Sequence, residues 1–118
     1  MKFDKEKFEE GLRKAVADKG DDFVYERSEG QHYCRYANVD NPEEHCLIGQ
    51  ALINAGYTYG EWWEYYGAAS LLDELGAPDA VCNAAKRAQD FQDEKRTWGF
   101  SLDAYFAEVD KHPRKVVD

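Results

Sequence analysis

Apolar residues recur every three or four positions along most of this chain, and this spacing, interrupted at glycines, constrains the fold more than any other feature. Residues 4–18 show it clearly, because Phe8, Leu12 and Val16 fall on one face of a helix. Gly20 follows and tolerates the positive φ at which helices commonly end. We therefore predict a first amphipathic helix that packs through this face.

A second apolar segment predicts a central buried helix over residues 45–55. Asn41 and Pro42 precede it and are typical of a capping residue and a first helical position. Gly49 removes a side chain at a point where another backbone could approach. Gly56 is expected to end the helix.

Three further helices are predicted from local start and stop signals. A short helix over residues 68–75 is expected to end at Gly76, and Pro78 opens the next one. Thr97 is a capping residue for the last helix, which carries apolar residues along one side.

Two strand-like segments, residues 23–26 and 32–36, flank a turn that contains Gly30. We predict a β-hairpin here, and because an isolated hairpin is marginal in water, we expect it to pack on the central helix. The predicted fold class is α+β: one helix-dominated domain over residues 1–118, in which residues 111–118 form a tail.

Charge and composition exclude several classes of function. The 118 residues include 24 acidic and 15 basic side chains, a net charge of −9, which repels phosphate backbones and argues against nucleic-acid binding. No apolar run approaches the roughly 20 residues that cross a bilayer, and the charged N-terminus does not read as a secretion signal. We expect a cytoplasmic protein that binds neither nucleic acid nor a membrane.

Four potential zinc ligands, His32, Cys34, His45 and Cys46, lie within fifteen residues. Their spacing departs from the paired Cys-x2–4-Cys pattern, and on a helix the adjacent His45 and Cys46 diverge by about 100°. The sequence also lacks phosphate-binding glycine loops and the common hydrolase motifs. We predict no metal, no cofactor and no catalysis. The alternative is a small zinc- or thiol-dependent protein that uses these four residues.

Residues 57–66 hold six aromatic side chains: Tyr57, Tyr59, Trp62, Trp63, Tyr65 and Tyr66. The Thr58-x-x-Glu61 spacing is that of a capping box and predicts a helix from about Tyr59. Such a helix would align Tyr59, Trp62, Trp63 and Tyr66 on one face. These rings either fill the core or leave part of their surface exposed for a partner. The candidate partner-binding residues are Tyr59, Trp62, Trp63, Tyr65 and Tyr66.

Several short motifs also occur in a fixed order: Phe23-Val24-Tyr25-Glu26, Cys34-Arg35-Tyr36, Cys46-Leu47-Ile48-Gly49-Gln50-Ala51-Leu52, Ala88-Gln89 and Arg96-Thr97-Trp98-Gly99. In this order the chain resembles a group of small uncharacterised proteins of actinobacteria and their phages. The resemblance implies a bacterial or phage origin and brings no activity with it. Gln50 stands where the resemblance leads us to expect histidine, which argues against a metal or catalytic centre there. The functional hypothesis is a small acidic, non-enzymatic module that binds and modulates a partner protein.

Overall fold

The computed structural model describes residues 3–25, 36 and 45–110, and these form a small all-helical globule. These ranges contain, in order, five α-helices and one 3₁₀ helix: α1 (Lys5–Lys19), α2 (Leu47–Asn54), the 3₁₀ helix (Glu61–Tyr65), α3 (Ala68–Glu74), α4 (Asp79–Asp93) and α5 (Trp98–Val109). In the ranges described, no helix has the length and apolar character needed to span a bilayer. The predicted tail, residues 111–118, lies outside these ranges.

The predicted β-hairpin is wrong, and with it the α+β class, because the described residues contain no strand. The carbonyl of Phe23 accepts a hydrogen bond from the backbone N–H of Trp98, at 2.8 Å, at the start of α5. The backbone N–H of Tyr36 donates to the carboxylate of Glu64. The aromatic pattern that suggested strands instead reflects burial, since Tyr25 and Tyr36 both lie in the core. Residues 26–35 of the predicted hairpin fall outside the described ranges.

The first helix lies one residue later than predicted, and the last helix begins directly after its predicted cap, Thr97. The side chain of Asp4 accepts from the N–H of Lys7 at the start of α1, and Gly20 follows that helix with a φ of 99°. Thr97 caps α5 by accepting from the N–H of Phe100. In each case the determining contact is within a few residues along the chain.

The central helix α2 is shorter at its start than predicted, because it begins at Leu47. Cys46 occupies the capping position and makes no side-chain hydrogen bond to the helix. The cap comes instead from α4, where the buried amide of Gln92 accepts from the backbone N–H of Leu47 at 2.8 Å. The predicted start signals, Asn41 and Pro42, lie outside the described residues.

Two glycines let α2 approach its neighbours closely. A Cβ at Gly11 of α1 would overlap the backbone carbonyl of Ala51. The side chain of Asn54 donates to the carbonyl of Gly11 at 3.1 Å across the same contact. On another side of α2, a Cβ at Gly49 would overlap the backbone of Tyr36, which confirms the predicted close approach there.

A buried polar contact joins the first and last helices. The phenol of Tyr105 donates to the carboxylate of Glu9 at 2.9 Å, and Lys5 lies 3.0 Å from the same oxygen. Burial and the neighbouring Glu9 raise the pKa of the Tyr105 phenol well above its usual range. The phenol therefore stays protonated and can keep donating to the carboxylate.

Substitution of Gly11 by alanine tests the contact between α1 and α2. Helix propensity alone predicts a gain of about 1 kcal/mol. The added methyl group must push α2 away, and such overpacking costs about 1–3 kcal/mol. We expect Gly11→Ala to lower the urea midpoint, whereas Glu10→Ala, at an exposed position of the same helix, should change stability by less than about 0.5 kcal/mol. A higher midpoint for Gly11→Ala would contradict the close approach.

Candidate partner-binding surface

The aromatic segment does not form the predicted α-helix. Residues Glu61–Tyr65 form a 3₁₀ helix, which has about three residues per turn, and the backbone is extended again at Tyr66. Gly60 occupies the capping position and no side chain caps the helix, so the capping box predicted from Thr58 is also wrong. The tighter turn changes which rings share a face, and the predicted alignment of four rings does not occur.

Trp63 lies in the core, with 1% of its surface exposed. Its ring meets the rings of Tyr36 and Tyr59 edge-on, with centroids 6.4 and 5.2 Å apart. Its indole N–H finds no acceptor among the described residues. Trp63, one of the predicted binding residues, is therefore buried, and its packing holds the 3₁₀ helix against the core.

Trp62 and Tyr65 face outward, with 42% and 86% of their surfaces exposed. The ring of Trp62 packs edge-on against Trp63 and Tyr66, with centroids 6.4 and 6.0 Å apart. Tyr65 makes no ring contact, hydrogen bond or ion pair within the described part of the chain. Its ring is thus presented to solvent.

Phe100, on α5, is the third large apolar side chain that is exposed in the described ranges, and it has the same exposed fraction as Trp62. Its ring meets that of Phe91 at 4.9 Å, and the guanidinium of Arg96 lies over it at 4.8 Å. The exposed fraction alone therefore does not distinguish the aromatic segment, residues 57–66, from the surface around Phe100. The distinguishing property is that Tyr65 lacks the neighbours that cover Phe100.

Contacts of Glu64 and Tyr36 fix the backbone on either side of Tyr65. The carboxylate of Glu64 accepts from the N–H of Tyr36 at 3.1 Å and from the phenol of Tyr59 at 2.6 Å. The phenol of Tyr36 in turn donates to the carbonyl of Tyr66 at 2.8 Å. These contacts join residues 28 and 30 positions apart in the sequence. Glu64 was expected only as part of a polar rim around an exposed ring, because no local pattern signals its contact with Tyr36.

Tyr65 borders an open groove of about 610 Å³ between the 3₁₀ helix, the start of α3 and one side of α4. The groove is lined by Tyr36, Glu64, Tyr65, Tyr66, Gly67, Ala68, Ala69, Ser70, Lys86, Gln89, Asp90 and Asp93. Lys86 and Asp90 form an ion pair at 2.8 Å, and their hydrogen bond raises the pKa of Lys86. Among the described lining residues, Glu64, Asp90 and Asp93 contribute carboxylates and Lys86 contributes an ammonium group. Its volume lies within the usual range of ligand sites.

The residues of the alternative zinc site are only partly described. His32 and Cys34 lie outside the described ranges. The Nδ1 atom of His45 lies 2.8 Å from the side-chain oxygen of Gln50, whose amide nitrogen donates to Asn54. Within the described residues, no group of three or more potential ligands lies close enough together to hold a metal ion.

Both described cysteines are buried and reduced. Cys46 is fully buried at the start of α2. The Sγ atom of Cys82 lies 3.7 Å from the carbonyl of Ala77, and burial, assisted by Asp73 and Asp79, raises the pKa of this thiol. A raised pKa suppresses the thiolate, which is the reactive form.

Thiol reactivity tests whether the two described cysteines are available for a thiol-dependent function. In a Cys34→Ser variant, the remaining thiols are Cys46 and Cys82. We expect them to react with a chromogenic aromatic disulfide no faster than the chain unfolds at neutral pH, because both are buried. The same variant in concentrated urea should release two equivalents and serves as the control. Rapid reaction of one thiol in the folded protein would favour a thiol-dependent function.

Comparison with protein-family models, with curated proteins and with solved structures gives no significant match to this chain. No relative or structural neighbour therefore contributes a functional residue. The chemistry of the groove and of the exposed rings is the basis on which a function can be assigned.

Proposed function

We propose that this protein is a non-enzymatic module that binds a partner protein through Tyr65, the groove beside it and the neighbouring face of Trp62. The observation that carries this proposal is the position of Tyr65: the residue is 86% exposed and its ring makes no ring contact or hydrogen bond with the described residues, yet its backbone lies between two anchored residues. Tyrosine and tryptophan are the residues most often responsible for binding energy at protein interfaces.

The anchoring of the 3₁₀ helix supports a binding role on energetic grounds. Ordering a loop on association costs free energy, and a segment that is already ordered avoids part of that cost. Trp63 holds the segment from the core, and Glu64 holds it through Tyr36 and Tyr59. Tyr65 is therefore presented in one defined position before a partner arrives.

The charge of the chain suggests the kind of association. A net charge of −9 accelerates encounter with basic surfaces and disfavours acidic ones. The resemblance to proteins of actinobacteria and their phages favours a partner in a bacterial cytoplasm, which the module would modulate by occupying its surface.

Single alanine substitutions test this proposal. The immobilised protein and its variants are exposed to an actinobacterial lysate, and the proteins retained by each are quantified by mass spectrometry. We expect Tyr65→Ala and Trp62→Ala to lose a protein that the unaltered chain retains, with a loss of about 2 kcal/mol or more in binding free energy. Tyr65→Ala should keep a melting temperature close to that of the unaltered chain, because its side chain is exposed. Trp62→Ala should lower the melting temperature by less than Trp63→Ala does, because part of the Trp62 ring packs on Trp63 and Tyr66.

Two control variants separate binding from folding and from general adhesion. Trp63→Ala should lower stability by about 3–5 kcal/mol, as expected for a truncated core ring. Phe100→Ala removes a ring with the same exposed fraction as Trp62 from a different part of the surface and should leave capture unchanged. Equal losses for Phe100→Ala and Tyr65→Ala would indicate non-specific adhesion and contradict the proposed function.

A further inference from the structure

We draw no further inference here: the strongest candidate, the groove that Tyr65 borders between the 3₁₀ helix, the start of α3 and one side of α4, belongs to the surface already described, and nothing in the structure shows what covers it.

Discussion

The structure depends on the close packing of a helix that could not exist alone. The central helix α2 has eight residues, and isolated helices of that length are unstable in water. Gly11 lets α1 approach it on one side, and Gly49 lets the backbone of Tyr36 approach it on another. Gln92, from α4, satisfies the N–H at its start. Each contact is specific in position, so α2 fixes where its neighbours lie.

The same contacts connect the core to the proposed binding surface. Tyr36 rests against Gly49, and from that position its backbone N–H and its phenol hold Glu64 and the carbonyl of Tyr66. Trp63 inserts beside it. The exposed ring of Tyr65 is therefore carried on a segment whose placement is set by the central helix, which explains how a short 3₁₀ helix keeps a defined conformation at the surface.

Local signals in the sequence were sufficient to predict most of the helices. They were insufficient to predict which aromatic side chains of residues 57–66 are buried and which are exposed. Asp4, Gly20 and Thr97 act on residues close to them in the chain, and the helices they delimit were predicted correctly. The predicted β-hairpin was wrong, because the pattern of aromatic residues that favours a strand also suits rings buried among helices. The aromatic segment divides into a buried Trp63 and an exposed Tyr65 because Glu64, between them, is bound by Tyr36, 28 residues before it, and no local pattern encodes that contact.

The row of side chains that runs from His45 through Gln50 and Asn54 ends at the carbonyl of Gly11, and a carbonyl can only accept. Its direction is therefore fixed: Asn54 donates to Gly11, Gln50 donates to Asn54, and Nδ1 of His45 donates to Gln50. The imidazole is therefore held in the Nδ1–H tautomer, and the side chain that precedes α2 is oriented, through Gln50 and Asn54, by the backbone of α1.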